Sequence, residues 1–527
     1  AIGELWFNTT DNSIHMGDGV TQGGIKHINE NTIVNYTDLV FDTLTEMISR
    51  TPKINGVKVR LSDGNFIVTS SVTDIVLGGG FYLEQLSPVK VVSKSQINVI
   101  NANSPVNLRL ETMSYSDAPY VQSSKVKGGA EYIVRTKAEH DTMRGYPTVD
   151  EAIDTTLTGG NVAMLIVNDT IDVATVGVMA DDTTDDIVAL NRVSKLTTAL
   201  FNEGVTGVSI DLKNYQIAFS STWNLPDISG NDNRVNITCS KAQSATLNPK
   251  LFGLPAPGIR LDNAVFASGI TIDNILMESL PLAVRLFGGT AFSFRNCGRL
   301  KMKNVWVRPW FDAISFAESW AAQVRECSFF GVVRHVVLFA NDKSANGFVM
   351  DGCGLFGNGN SQSAACLNIT AAETVNLTNN QVEGNYAFFK ATGVSSLRCV
   401  GNYSEVCTVH MQLGTGNVGW QVKDNHFGPA TAATIFSFIR GLESSGNSFS
   451  DCTFDFGGNA DCRDTDWGHQ NYTPAGLPSG GIANRPPFFE PALDTGWTPT
   501  GGQVPTSYNK FSDGTVAVRG VVSGDVT

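Results

Sequence analysis

One short pattern recurs through residues 296–460 as Asn304-Val-Trp-Val, Cys327-Ser-Phe-Phe, Cys353-Gly-Leu-Phe, Asn380-Gln-Val-Glu, Asn402-Tyr-Ser-Glu, Asn425-His-Phe-Gly and Asn447-Ser-Phe-Ser. Its openings are separated by 23, 26, 27, 22, 23 and 22 residues. Other apolar runs precede or follow most openings, among them Leu300-Lys-Met, Ala313-Ile-Ser-Phe and Val336-Val-Leu-Phe. Three short strands in each repeat predict a parallel β-helix, in which every turn buries its inner face by stacking on the next.

The pattern also predicts which side chains face solvent, because side chains alternate between the two faces of a strand. The opening Asn or Cys is expected at an internal corner, where Asn can bond the backbone of the turn. The second residue after each opening is mostly apolar and is predicted to point inward: Trp306, Phe329, Leu355, Val382, Phe427 and Phe449. The first and third residues are predicted to point outward: Val305, Ser328, Gly354, Gln381, Tyr403 and His426, with Val307, Phe330, Phe356, Glu383, Glu405 and Gly428. One outer face should therefore combine aromatic rings with two carboxylates.

Composition narrows the class of protein. The 527 residues are 42% hydrophobic and 17% charged, and a net charge of −13 argues against an electrostatic nucleic-acid partner. No apolar run is long enough to predict insertion into a membrane. Nine cysteines are present without zinc-ligand spacing, so we expect buried free thiols and no structural metal.

The first 28 residues predict a hairpin of two strands, Leu5–Asn8 and Ser13–Met16. This stretch resembles the small N-terminal hairpin module of tailed-phage fibres and spikes. Residues 29–174 are predicted to form an α+β neck domain with a helix over Leu39–Ile48. Its predicted strands are Val57–Leu61, Asn65–Thr69, Val89–Val92 and Val106–Leu110, and Gly78–Gly80 is a predicted turn.

An acidic run, Asp181-Asp-Thr-Thr-Asp-Asp, precedes apolar residues at helical spacing, and these predict a helix over about 185–204. This entry resembles the opening of the pectate-lyase-like β-helix domain of tailed-phage tailspikes. The helix would shield the apolar end of the solenoid. The resemblance favours a turn and helix cap over a calcium site for the acids, so no metal and no cofactor is expected.

The tailspike resemblance implies an all-β protein with a right-handed parallel β-helix over residues 175–460. Residues 461–527 would be a linker and a partial C-terminal β domain. The resemblance further implies a homotrimer that binds, and usually cleaves, a bacterial surface polysaccharide. Such a protein is carried on the virion, is assembled in the host cytoplasm and acts at the bacterial surface. It would join the phage tail or baseplate through its N-terminal region or a segment preceding it.

Glu383 and Glu405 are the predicted catalytic pair, since they occupy the same outward position 22 residues apart. Stacked strands lie ~4.8 Å apart, which suits the close carboxylates of a retaining glycosidase. Predicted substrate-binding residues are Tyr403, Phe330, Phe356, Arg398, His426 and Gln381. The alternative is that these exposed glutamates serve solubility alone, and the reserve acids are Asp351, Asp312 and Glu318. His410 alternates with apolar residues and is expected in the core or the groove wall.

Three functions remain open at this point. The first is glycoside hydrolysis of a capsule or O-antigen. The second is β-elimination from a uronic-acid polymer, with Tyr403, His426 and Arg398 as the required base and neutralising cation. The third is a non-catalytic receptor-binding adhesin with the same aromatic face. The pattern fixes neither the glycan nor whether one subunit supplies the whole site.

Overall fold

The computed structural model describes residues 5–8, 13–16, 25–26, 39–42, 44–53, 55–61, 64–70, 75–99, 104–115, 128–228, 232–239, 245–248, 257–264, 269–278, 289–339, 346–359, 364–432, 434–435, 439–440, 442–450, 452, 454–455, 463–464, 497–499, 507–510, 516–519 and 522–524. The chain forms two compact units. The first comprises residues 1–168 and 174–177, and the second comprises residues 169–173 and 178–527.

The first unit begins with the predicted hairpin. Leu5–Asn8 pairs antiparallel with Ser13–Met16, and Ile25–Lys26 adds a third strand. A five-stranded sheet comes next, in the order Leu39–Phe41, Lys58–Leu61, Gly64–Thr69, Phe81–Gln85 and Ile75–Gly78. The predicted helix over Leu39–Ile48 is wrong in its first part, because Leu39–Phe41 pairs as a strand with Lys58–Leu61 and the helix is Leu44–Arg50.

Another five-stranded sheet belongs to the first unit, in the order Thr155–Thr156, Val162–Leu165, Glu131–Arg135, Arg109–Ser114 and Val89–Ser93. The 3₁₀ helix Lys94–Val99 and the helix Lys137–Arg144 accompany it. Thr136 and Glu139 form a reciprocal capping box that fixes the start of the second of these. The predicted strand over Val106–Leu110 in fact begins at Arg109.

The second unit is a parallel β-helix whose strands form three long sheets, here called the first, second and third sheets. The first sheet contains Thr170–Asp172, Gly207–Asp211, Arg234–Thr238, Gly269–Asp273, Leu300–Lys303, Gln323–Arg325, Phe348–Asp351, Val375–Thr378, Leu397–Val400, Gln421–Lys423, Glu443–Ser445 and Arg463–Asp464. The second contains Asp181–Asp185, Gln216–Ala218, Ala245–Asn248, Ile275–Glu278, Trp306–Arg308, Ser328–Phe330, Gly354–Phe356, Gln381–Glu383, Tyr403–Glu405, His426–Phe427 and Ser448–Phe449. The third contains Trp223–Asn224, Pro257–Ala264, Thr290–Cys297, Asp312–Ala317, His335–Phe339, Ala365–Thr370, Ala387–Thr392 and Val409–Leu413.

Short pairs of strands lie near the C-terminal end. Asn417–Val418 pairs with Ile439–Arg440, and Thr434–Ile435 pairs with Phe454–Asp455. Two antiparallel pairs follow: Trp497–Pro499 with Val522–Gly524, and Ser507–Lys510 with Val516–Arg519. Apart from Arg463–Asp464, which extends the first sheet, the linker predicted to follow residue 460 lies outside the described residues.

The predicted helix at the entry of the solenoid is present as Ile187–Asn202. Asp185 accepts a hydrogen bond from the backbone N–H of Ile187 at its first turn, and Asp181 accepts from the N–H groups of Thr183 and Thr184. The expected helix cap is absent at Asp186, the residue before the helix, whose side chain makes no capping hydrogen bond and accepts instead from the N–H groups of Met179 and Ala180. The Asp181 contacts are those of the expected turn. They occur within a bulged strand, Asp181–Asp185, which pairs with Gln216–Ala218 and was not predicted. In the part of the chain that the structure describes, no helix combines the length and apolarity needed to cross a membrane.

The predicted asparagine ladder is confirmed at the corner that precedes the second sheet, at Asn380, Asn402, Asn425 and Asn447, all buried. Asn402 shows the repeating contact. Its Oδ1 accepts from the backbone N–H of Asn380 at 3.0 Å, and its Nδ2 donates to the carbonyl oxygen of Leu377 at 2.8 Å. Below the ladder the same corner is occupied by Cys353 and Cys327. Eight cysteines lie in the described residues; all eight are buried and none forms a disulfide.

The inward positions are confirmed where side chains are described, with one exception. Phe329, Leu355, Val382 and Phe427 are fully buried. Trp306 was predicted to point inward and is half-exposed, while Val305 and Val307 are buried. Trp306 pairs with Ser328, an outward position. The corner residue of this turn is therefore Val305, because burying two valines outweighs the resemblance of Asn304 to the later asparagines.

Candidate functional site

The outward side chains of the second sheet form two columns along its strands, which we call the outer face. In one column, Gln381 pairs with Tyr403 and Tyr403 pairs with His426. In the other, Phe330 pairs with Phe356, Phe356 with Glu383, and Glu383 with Glu405. Trp306 and Arg308 extend the columns by one further strand. The register thus brings most of the predicted site residues onto one surface.

Glu383 and Glu405 are direct neighbours on adjacent parallel strands. Neighbouring strands lie ~4.8 Å apart, so the two carboxylates emerge side by side. Each is half-buried, and each accepts a hydrogen bond from the residue two positions earlier on its own strand: Glu383 from the Gln381 amide, and Glu405 from the Tyr403 hydroxyl. These donors hold both carboxylates against the sheet, a common trait of groups that must meet a substrate in fixed geometry.

Tyr403 acts as a hydrogen-bond donor at this site. The hydrogen bond to Glu405 raises the pKa of Tyr403, and the negative charges of Glu405 and Glu383 raise it further. Its ring stacks on the His426 imidazole, with centroids 5.0 Å apart and planes at 12°. His426 in turn shares a 2.8 Å hydrogen bond between Nδ1 and the Ser448 hydroxyl. A flat, exposed surface therefore lies beside the two carboxylates.

On the other side of the carboxylates lies an aromatic platform formed by Trp306, Phe330 and Phe356. The Phe330 and Phe356 rings stack at 5.1 Å, and the Trp306 and Phe330 rings lie 5.8 Å apart. The Phe356 ring lies over Gly354, which has no side chain; a Cβ atom at this position would overlap the ring. Stacked rings of this kind present a broad apolar surface.

A close backbone approach beside Glu405 also requires a glycine. A Cβ atom at Gly428, one strand beyond Glu405, would lie 2.7 Å from the Cβ atom of Glu405. Any larger residue there would force Glu405 or its strand to move. Gly428 was predicted to face outward, but it is buried, because its backbone packs closely against Glu405.

His410 lies buried behind the strand Tyr403–Glu405 and is confirmed as a core residue. Its Nε2 lies 2.9 Å from the carbonyl oxygen of Gly428, and its Nδ1 lies 2.9 Å from the Ser404 hydroxyl. Since a carbonyl only accepts, Nε2 carries the proton and Nδ1 accepts from Ser404. Burial lowers the pKa of His410 to about 4, so the ring is neutral at pH 7.

Four predicted residues lie away from the outer face. Arg398 is exposed on the first sheet, so grouping it with the glutamates was wrong, because the chain turns a corner at Asn402 before the second sheet begins. Asp351 is also on the first sheet and accepts hydrogen bonds from Thr378 and Asn379.

The other two reserve acids lie at the two ends of one strand of the third sheet. Asp312 is buried in an ion pair with Arg334, whose Nε lies 2.9 Å from Asp312 Oδ1. Glu318 lies just after the strand Asp312–Ala317, with a left-handed φ of 52°. A buried carboxylate that is hydrogen-bonded through both of its oxygens, as Asp312 is, suits a structural role.

Trp306 and Arg308 are the outer-face residues that the sequence argument missed. The signal was present in the Val305–Val307 alternation, which places residues 306 and 308 outside once both valines are assigned to the core. Among the described residues, no group of three or more His, Cys, Asp or Glu side chains is placed to hold a metal ion.

Comparison with known proteins supports the fold. No family model matches the sequence, and no curated protein matches it either. Among solved structures, the full-length tailspike protein 2 of Escherichia coli O157:H7 bacteriophage CAB120 superposes with a TM-score of 0.52 at 10% identity, over 72% of this chain and 51% of that one. This chain thus spans about half the length of that tailspike.

Two further solved structures are similar. A Pantoea stewartii glycan biofilm modifying enzyme with a bacteriophage tailspike-like parallel β-helix fold matches with a TM-score of 0.47 at 10% identity, over 88% of this chain and 56% of that one. A tailspike of Acinetobacter baumannii bacteriophage Fri1, a capsular polysaccharide depolymerase, matches with a TM-score of 0.41 at 12% identity, over 70% and 75%. The chain is a parallel β-helix protein. Its fold is the one seen in the tailspike of bacteriophage CAB120.

Proposed function

We propose that this protein is a phage tailspike that binds a bacterial surface polysaccharide, a capsule or O-antigen, and cleaves it by glycoside hydrolysis. Glu383 and Glu405 are the proposed catalytic pair. The observation that carries the proposal is their direct pairing on adjacent strands, on the same outer face as the aromatic platform.

The spacing favours a retaining mechanism. Retaining enzymes hold their carboxyl groups ~5–5.5 Å apart and inverting enzymes ~6.5–9.5 Å, and neighbouring strands at ~4.8 Å suit the shorter range. One carboxylate attacks the anomeric carbon while the other carboxyl gives its proton to the leaving oxygen, and the glycosidic C–O bond breaks. Water then attacks the covalent intermediate, giving a proton to the second carboxylate and restoring both groups.

The outer face is long enough for a polymer. From Trp306 to His426 it crosses five strand spacings, or roughly 24 Å. The acid pair lies between the aromatic platform on one side and the Tyr403–His426 stack on the other. A glycan bound along this length would be cut internally.

The geometry gives β-elimination less support than hydrolysis. Of the residues considered for that reaction, Arg398 lies on the first sheet, away from Tyr403 and His426. The hydrogen bond to Glu405 raises the pKa of Tyr403 and opposes its use as a base. A binding protein without catalysis remains the other alternative, and product analysis separates all three.

The test is digestion of a panel of purified capsular and O-antigen polysaccharides. Hydrolysis gives new reducing ends without an ultraviolet-absorbing unsaturated sugar, whereas that absorbance indicates elimination and intact polymer indicates binding alone. Glu383→Gln and Glu405→Gln should each abolish the new reducing ends. Glu443→Gln is a matched control, since Glu443 is an exposed strand residue of the first sheet that also accepts from a glutamine. Cleavage at the parent rate by both outer-face variants would refute the assignment.

We further propose that the protein is a homotrimer on the phage tail, assembled in the host cytoplasm and acting at the bacterial surface. Light scattering of the intact chain should then give three times its mass of 56.5 kDa. A monomeric mass at all accessible concentrations would contradict the trimer without affecting the assignment of the acids.

A further inference from the structure

Arg308 lies at the end of the outer face, at the outward position that ends the strand Trp306–Arg308. Its guanidinium carbon is 4.9 Å from the centre of the Trp306 ring and 5.5 Å from the centre of the Phe330 ring. Cation–π contacts of this kind hold the flat guanidinium against the rings. The arginine is therefore positioned by aromatic side chains.

What distinguishes Arg308 is the lack of a counter-ion. Within the residues that the structure describes, no carboxylate lies within 4.0 Å of its guanidinium. Arg334 and Arg260, by contrast, pair with Asp312 and Asp262. Glu278 is the partner of Arg308 in strand register but forms no ion pair with it. An arginine fixed in position without a carboxylate partner is prepared to bind an anion from outside.

We propose that Arg308, Trp306 and Phe330 form a subsite for the carboxylate of an acidic sugar in the bound polysaccharide. The inference rests on the proposed function, because it assumes that the glycan lies along the outer face. A guanidinium binds a carboxylate through two parallel N–H···O bonds. The adjacent Trp306 and Phe330 rings offer the apolar surface on which the carbon skeleton of the same sugar can pack.

The subsite lies away from the cleaved bond. Arg308 and Glu383 are three strand spacings apart, or roughly 14 Å. The acidic sugar would therefore contribute to binding of the substrate without entering the reaction. Loss of Arg308 should raise KM and leave kcat unchanged, since the lost interaction is equal in the ground and transition states.

The subsite can be tested without a known polysaccharide. Sodium glucuronate is titrated into the intact protein and followed by saturation-transfer difference NMR, with glucose as the neutral match. Glucuronate should bind saturably in the millimolar range and glucose much more weakly. Arg308→Gln should weaken glucuronate binding roughly tenfold or more, because the charge-assisted bonds are lost. Arg308→Lys should be intermediate, since an ammonium cannot form the paired bonds.

The controls use charges elsewhere on the solenoid. Arg325→Gln changes an exposed arginine that ends a strand of the first sheet, and it should leave glucuronate binding unchanged. Glu278→Gln should tighten binding by removing the negative charge in register with Arg308.

The outcomes separate this subsite from the proposed hydrolysis. Glucuronate that binds the parent and Arg308→Gln equally overturns the subsite, whether or not the protein cleaves a polysaccharide. Tighter binding of glucose 6-phosphate than of glucuronate overturns the choice of a carboxylate. Arg308-dependent glucuronate binding in a protein that cleaves no polysaccharide supports the subsite and refutes only the hydrolysis.

Discussion

The part of the second sheet from Trp306–Arg308 to His426–Phe427 has two halves, which share one backbone fold and differ in their inward and outward side chains. In the aromatic half, from Trp306 to Phe356, the outer face carries stacked rings and the inner corner holds Val305, Cys327 and Cys353. In the acidic half, from Gln381 to His426, the outer face carries the two glutamates, and the inner corner holds the asparagine ladder. Both changes occur between the strands Gly354–Phe356 and Gln381–Glu383.

This coincidence has a physical explanation. Each ladder asparagine immediately precedes an outer-face residue: Asn380 precedes Gln381, and Asn402 precedes Tyr403. The buried amides must be hydrogen-bonded, and their bonds fix the backbone at the point where each strand of the acidic half begins. In the aromatic half the rings position one another by stacking, so an apolar corner is sufficient. The ladder thus fixes the backbone of the half of the sheet that carries the proposed catalytic carboxylates.

The largest difference between the halves should appear in turnover. Glu383→Gln or Glu405→Gln should lower kcat by roughly 10²–10⁴-fold with little change in KM, because acid–base catalysis is lost while the binding surface remains. Since the two groups act as a unit, the double variant should be little worse than either single one. Steady-state kinetics on a cleaved polysaccharide gives both values. Fully additive losses in the double variant would show that the two glutamates act independently.

The next largest effect should be on stability. Asn402→Ala removes the acceptor of the Asn380 N–H and the donor to Leu377, leaving buried groups unpaired, at a cost of about 3–5 kcal/mol in the free energy of unfolding. Cys353→Ala removes a thiol from the same corner in the aromatic half and should cost about 1–2 kcal/mol.

Denaturant unfolding followed by circular dichroism measures both losses. Asn376→Ala, at a half-exposed outward position of the first sheet, is the control and should change stability by less than about 0.5 kcal/mol. Equal losses for Asn402→Ala and Cys353→Ala would show that the two corners are held in the same way.

Acid should weaken the solenoid beneath the acidic half. Burial lowers the pKa of His410 to about 4, whereas an unfolded histidine titrates near ~6.5, so between these values the unfolded chain binds the extra proton. The contribution is complete above the unfolded pKa. It is lost as pH falls toward 4, by on the order of 3 kcal/mol. Between pH 7 and pH 4, the free energy of unfolding of His410→Gln should fall by this amount less than that of the parent protein. An equal fall in the two proteins would contradict the assignment.

The smallest effect should come from the aromatic half. Phe330→Ala removes one ring of the platform and should raise KM roughly tenfold, equivalent to about 1–2 kcal/mol of lost apolar contact, with kcat nearly unchanged. Val349→Ala, at an outward position of the first sheet, serves as the control. A fall in kcat with unchanged KM would mean that the aromatic half participates in the chemistry.

Most of the solenoid could be predicted because its signals are local. The strand alternation, the asparagine corner and the pairing of Glu383 with Glu405 all follow from one pattern that recurs every 22 to 27 residues. The prediction failed where two signals competed. Asn304 has the same residue type as the ladder, but burial of Val305 and Val307, on either side of Trp306, moves the register by one residue. Arg398 was grouped with the glutamates because sequence distance does not show on which side of a corner a residue lies.

The buried thiols have a consequence for how the protein reacts with oxidants. Burial raises the pKa of Cys353, Cys366 and Cys407, and that of Cys399 to about 12. Oxidants and disulfides react with the thiolate, and these groups offer almost none of it to an approaching reagent. These four thiols should therefore resist oxidation by air or peroxide and keep their packing. Durability here comes from chemical inaccessibility, with no disulfide among the described residues to be broken or rearranged.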